Sequence, residues 1–206
     1  PPFWTRLTLV ASAMGVSFVH GSNDGQKGIG MIMLVLIGIV PGQFVVNLES
    51  TSYQVARTRD AALHMQTFYE SNQAELSELM LLGKEANHTL PPIFKCDSRQ
   101  TIAAIQTLSA RLENVNSYTQ LDTEGRRQVR RLLLCIDDTA KKVSKMPSIS
   151  AKERDDLNKL RKDLTATTEY APTWVIVAVA LALGVGTMIG WKRIVLTVGE
   201  KIGQKG

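Results

Sequence analysis

The chain has 206 residues, a net charge of +5 and a mean hydropathy of −0.02, averages that describe an ordinary soluble domain. The distribution contradicts the averages: 35 of 43 charged residues lie between Glu49 and Glu169, whereas Leu7–Asn23, Gly28–Leu48 and Tyr170–Trp191 carry none. A single soluble domain is therefore excluded. So is a nucleic-acid binder, because the charged stretch balances 18 Lys and Arg against 17 Asp and Glu.

At the N-terminal end, Leu7–Val19 and Ile29–Val40 are apolar runs closed by Pro41-Gly42. Between them stands His20-Gly21-Ser22-Asn23-Asp24-Gly25-Gln26-Lys27-Gly28. Residues 7–40 as one straight helix would reach about 51 Å, too long for about 30 Å of hydrocarbon, and 7–20 alone is too short. A transmembrane helix broken at its polar centre, within residues 1–47, reconciles the lengths. Two helices joined by a polar turn is the competing reading.

The polar centre is the informative stretch. It is not a Walker A loop, which needs Gly directly before its Lys and Ser or Thr directly after; here Gln26 precedes Lys27 and Gly28 follows. Gly28-Ile29-Gly30 does not continue to a third glycine at dinucleotide spacing. Charged Asp24 and Lys27 at membrane depth are costly and characteristically face a cavity or substrate path. Gly21, Gly25 and Gly28 would let the backbone leave the helix, and a helix resuming near Gly28 would aim free N–H groups at an anion. Broken helices of this kind hold substrate in secondary transporters.

Residues 48–170 are expected to form a polar helical insertion. Ile102, Ile105, Leu108, Leu112 and Val115 mark one helical face, and Val129, Leu132, Leu133, Ile136, Ala140 and Val143 another. Ser150 with Glu153 resembles a capping box opening a helix that turns Leu157, Leu160 and Leu164 inward. A less regular helix is expected over 54–82, through Val55, Leu63, Phe68 and Leu79. Four amphipathic helices make a small bundle. Arg126-Arg127 and Arg130-Arg131 form a basic cluster read chiefly as a solvated face. Asp137-Asp138 and Asp155-Asp156 are read the same way. His64 and His88 have no partner at ligand spacing, so no metal site and no cofactor is assigned. Asn87-His88-Thr89 matches a glycosylation sequon that has no meaning in a bacterial protein. Both cysteines, Cys96 and Cys135, lie in this stretch; an oxidising compartment permits a disulfide, two separate thiols being the alternative. We expect the Cys96–Cys135 disulfide.

Ala171–Trp191 is uncharged, carries Trp174 and Trp191 near its ends, and is followed by Lys192-Arg193. It reads as a second transmembrane helix with interfacial aromatics and a cytoplasmic basic flank, with 192–206 starting the next segment. Arg6 beside Trp4 marks the same face, so the two ends share a side and residues 7–46 supply one crossing. Residues 48–170 then lie outside, in the periplasm of a bacterial inner membrane. The chain begins at Pro1 and stops after a basic stretch, as a piece of a longer polypeptide would. The fold expected is thus an all-α membrane protein: a broken transmembrane helix, an extracytoplasmic helical bundle, and a second transmembrane helix.

Gly21-Ser22-Asn23-Asp24 followed by Lys27 and Gly28 resembles the second copy of the signature of the PiT family of inorganic phosphate transporters. Trp191-Lys192-Arg193 with Thr197-Val198-Gly199 is similar to the family's later segment, and the whole run Phe3–Lys205 to its enteric bacterial members. Ser22 stands where many members have Ala, and the first repeat is absent. The resemblance implies proton-coupled symport of inorganic phosphate, often as a neutral divalent metal–phosphate complex, through a site in the bilayer. The substrate-binding candidates are Ser22, Asn23, Asp24, Gln26 and Lys27, with Asp24 also the proton-coupling group. His20 reads as a packed or interfacial residue before it reads as a relay. The partners implied are phosphate, protons and lipid; a homo-oligomer is compatible.

A different class shares the plan. Two spans around an extracytoplasmic four-helix domain also describe a bacterial chemoreceptor or sensor. A receptor's first span has no need of Asn-Asp-Gly-Gln-Lys, and three glycines would weaken it. No nucleophile–base pairing or metal-ligand spacing supports an enzyme.

Overall fold

The computed structural model describes residues 2–79, 90, 91 and 93–201, without the side chains of 192–195 and 197–201. The sequon Asn87-His88-Thr89, the tail 202–206 and the side chains of Lys192 and Arg193 lie outside the described residues. All regular structure among the described residues is helical. The chain divides into two compact bodies, one of residues 1–35 with 171–206 and one of residues 36–170.

Helix α1 runs from Phe3 to Ile39 without interruption. The expected break over residues 21–28 is therefore corrected: the backbone stays helical through Gly21, Gly25 and Gly28. Each glycine costs about 1 kcal/mol relative to Ala. Scattered single costs of that size do not outweigh a hydrogen-bond ladder continued by apolar helix formers on both sides. The real stop is Pro41, which disfavours helical geometry in its predecessor. Val40 accordingly sits at φ −127°, ψ 63°, and the single turn α2, Pro41–Phe44, follows.

The other helix of the first body, α8, covers Thr173–Lys201 after Pro172. Its Thr173–Trp191 part, 19 residues of mean hydropathy 2.1, is the one stretch among the described residues long and apolar enough to cross a membrane. Helix α1 has the length, but residues 20–28 divide its apolarity.

The second body is a ring of four helices. α3 (Ser52–Ser71) packs on α5 (Thr101–Leu112) and on α7 (Ala151–Thr165), and α6 (Thr123–Val143) packs on α5 and α7. The faces marked by the sequence meet in its core: Ile102, Ile105, Leu108 and Leu112 with Leu132, Leu133, Ile136, Val143, Leu157 and Leu164. Burial at about 25 cal/mol per Å² of apolar surface is what holds this ring together. The start signals are local. Thr51 with Gln54 and Ser150 with Glu153 are reciprocal capping boxes, and Asp122 accepts from the Gly125 N–H at 2.8 Å.

The helix expected over 54–82 ends earlier, at Ser71, and resumes only as the turn α4, Gln73–Leu76. Asn72 interrupts it by folding its amide back onto the Phe68 carbonyl at 3.0 Å, local competition typical of Asn. Val115 lies beyond the end of α5 and is partly buried against the core. Tyr118, from a short 3-10 turn, is fully buried, its hydroxyl 3.0 Å from that of Thr167. Burial raises its pKa above the ordinary phenol value, with the Thr167 hydrogen bond opposing. Cys96 and Cys135 are bonded, with Cα atoms 5.4 Å apart, tying the segment before α5 to the middle of α6.

Candidate functional site

All five candidate binding residues stand on α1, within about one and a half turns. At about 100° per residue, Asn23, Asp24 and Lys27, with His20, share one sector, and Ser22 and Gln26 continue it. Gly21, Gly25 and Gly28 occupy the remaining sector by their spacing of four and three. A helix uniform in backbone is thus divided lengthwise, polar on one side and bare on the other.

At Gly25 and Gly28, though not at Gly21, the bare side meets α8. A Cβ built on Gly25 would lie 3.8 Å from Leu183 Cδ1, and one on Gly28 only 3.1 Å from Val179 Cγ1. Val179 is 6 % exposed, so it has little room to retreat. Val175, Val179 and Leu183 recur every four residues and form one stripe of α8. Sequence reasoning missed these partners because α8 is apolar all round, which hides any preferred face.

The polar side faces away from α8. Ser22, Asn23, Asp24, Gln26 and Lys27 are all exposed, and the nearest charge pair is Lys27 Nζ to Asp24 Oδ1 at 3.8 Å. An exposed pair one turn apart contributes at most a few tenths of a kcal/mol. It leaves both groups free to take other partners. Because the helix is unbroken, its backbone N–H groups are engaged in the ladder and are not offered to an anion at Gly28. The donors for an anion are side chains: the Lys27 ammonium, the Asn23 and Gln26 amides and the Ser22 hydroxyl. Asp24 is the one carboxyl group among them, able to take up and release a proton.

The close approach at Gly28 makes a prediction. Gly28→Val is expected to lower the thermal midpoint of the detergent-solubilised protein, at an overpacking cost of about 1–3 kcal/mol. Gly21→Ala, with no atom within 4 Å of its new methyl group, should raise the midpoint slightly, since Ala is the better helix former by about 1 kcal/mol. Size-exclusion profiles after stepwise heating would show both; equal behaviour would place the α1–α8 contact elsewhere.

The other charged groups singled out in the sequence have structural partners. Asp137 takes a two-point bond from Arg161, the shorter 2.8 Å, Asp138 pairs with Lys142 and Asp155 and Asp156 with Lys159. Among the described residues no group of three or more His, Cys, Asp or Glu comes together as metal ligands would. A surface groove of about 430 Å³ between α3 and α7 includes His64, but its Arg57 is already bonded to Asp163 at 2.8 Å. Arg126 and Arg130 turn out not to be merely wet: both donate to backbone carbonyls.

A profile of the phosphate transporter family matches residues 2–205. The chain is 50 % identical to the low-affinity inorganic phosphate transporter PitA of Escherichia coli K12, over all of its own length and 42 % of that protein. It is 46 % identical to PitB of the same organism, again over 42 % of the relative. A low-affinity inorganic phosphate transporter of Buchnera aphidicola from Acyrthosiphon pisum is 42 % identical over 41 % of its length. The chain therefore spans about two fifths of the curated relatives it matches. No solved structure matches it.

Proposed function

This chain belongs to the phosphate transporter family, and from that premise we propose that it is part of a secondary transporter importing inorganic phosphate by proton symport. The observation that carries this reading is the polar sector of α1: Asn23, Asp24 and Lys27 side by side on a helix that approaches α8 through Gly25 and Gly28 on its other side. Exposed charges between two apolar runs are expected where a further part of the same membrane protein completes the site. The sensor reading is not favoured, since the relatives are named as transporters.

In this proposal phosphate lies against the polar sector. The Asn23 amide and Ser22 hydroxyl donate to phosphate oxygens, Gln26 extends the same row, and Lys27 supplies a balancing charge. An ionised Asp24 would repel the anion strongly in a medium of low dielectric constant. Repulsion disappears when Asp24 is protonated, or when a divalent cation accompanies phosphate and neutralises it. Occupancy by phosphate then requires the cation, and that requirement couples the gradient to uptake. The metal is cargo in this scheme, travelling as the metal–phosphate complex.

The topology proposed with it has α1 and α8 each crossing the inner membrane once. At 37 residues α1 is about 55 Å long, so it crosses tilted or projects beyond the hydrocarbon. Residues 48–170 then face the periplasm, where the Cys96–Cys135 bond is chemically at home.

Radiolabelled phosphate uptake by the complete parent protein, in cells lacking other phosphate importers, tests the reading. Uptake is expected with a proton gradient and to fall to background once an uncoupler removes it. Uptake indifferent to the gradient would reject proton symport, and no uptake from well-inserted protein would reject phosphate transport.

A further inference from the structure

Arg126 and Arg130 stand one turn apart on α6, and their guanidinium groups donate to backbone carbonyls, with the charge of Glu169 also acting on Arg130. Arg126 donates to the carbonyls of Tyr118 at 2.9 Å, Thr119 at 3.2 Å and Gly42. Arg130 Nη1 donates to the Val45 carbonyl at 2.8 Å and to the Thr168 carbonyl at 3.1 Å. Val45 belongs to the segment by which the chain enters the second body and Thr168 to the segment by which it leaves. Those two segments also bond directly: the Asn47 N–H donates to the Thr167 carbonyl at 2.8 Å, and the Tyr170 hydroxyl to the Val46 carbonyl at 3.2 Å. Val45, Val46, Thr167 and Thr168 are all buried, where a backbone carbonyl without a donor would be costly.

We infer that Arg130 is a clasp: one side chain of α6 that binds the incoming and outgoing segments together and fixes the separation at which the chain enters and leaves residues 36–170. Its planar, multiply donating head suits the task, since one group serves two carbonyls that belong to different segments. Arg126 holds the incoming segment alone, and Tyr170 reinforces the closure from the outgoing side. Two of the four cluster arginines, Arg126 and Arg130, therefore serve backbone closure. Arg127, next in sequence, shows the contrast, for it pairs with Glu124 at 3.5 Å on the exposed side of the same helix.

Electron–electron distance measurement on the complete protein in lipid nanodiscs tests the clasp. Spin labels go on Gln43→Cys and Glu169→Cys, both exposed positions, with Cys96 and Cys135 left paired and any other cysteine replaced. A single narrow distance peak is expected in this background and in Arg127→Met. Arg130→Met is expected to lose that peak to a broad distribution extending to longer distances, with Cys96 and Cys135 still unreactive to thiol reagents. Tyr170→Phe, which removes one hydroxyl from the same closure, is expected to broaden the peak less. It keeps the test decisive should Arg130→Met fail to fold. A peak of unchanged width in every variant that folds would overturn the clasp.

Discussion

Asp24→Asn in the complete transporter is expected to abolish gradient-driven phosphate uptake while leaving insertion into the membrane intact. The substitution preserves size and hydrogen-bonding capacity but removes the group that can exchange a proton or attract a cation. On α1 the side chain is exposed and its contact with Lys27, at 3.8 Å, is loose, so the fold loses very little with it. The loss should therefore be confined to transport. Uptake with and without an uncoupler, set against surface abundance of the variant, separates the two. Normal gradient-dependent uptake by Asp24→Asn would remove this carboxylate from the mechanism, whereas low abundance would show that it serves folding after all.

The second large effect concerns stability. Cys96→Ser with Cys135→Ser is expected to cost the second body about 4 kcal/mol, the loop-closure entropy released in the unfolded chain by a bond spanning 39 residues. Cys135 is 1 % exposed, so a buried hydroxyl in its place adds to the loss. For a body of this size that is a fall in melting midpoint of roughly 10–20 °C. Circular dichroism melts of the purified protein would read it, and reductant added to the wild type should reproduce much of the shift. A midpoint unchanged in the double variant would mean that packing alone holds the segment before α5 in place.

Much of the second body was legible in the sequence because its helices are amphipathic. In α6, Val129, Leu132, Leu133, Ile136, Ala140 and Val143 fall at helical spacing with charge between them, and each of these is buried. The Ser150 and Glu153 box announced the start of α7 for the same local reason. What failed was judgement of competition. Three glycines in α1 suggested a break, but a helix ends where its hydrogen bonds find a better partner or lose a donor, and here that is at Pro41. Asn72 ended α3 through a side-chain bond to its own preceding turn that apolar spacing does not register. In the candidate site, residue types pointed to the polar sector, while the partners of Gly25 and Gly28 stayed hidden in the uniform apolarity of α8. The arginines of α6 were misread because charge shows in a sequence and a carbonyl 85 residues away does not.

The bond between Asn47 and Thr167, 2.8 Å long, means that the chain leaves the second body where it entered it. Some 120 residues can then be added to, or subtracted from, a polypeptide at one point without moving what lies before and after. A bundle whose ends already meet is suited to act as a cassette, since inserting one asks little of the helices that flank it in sequence. The same geometry would let its surface diverge at its own pace.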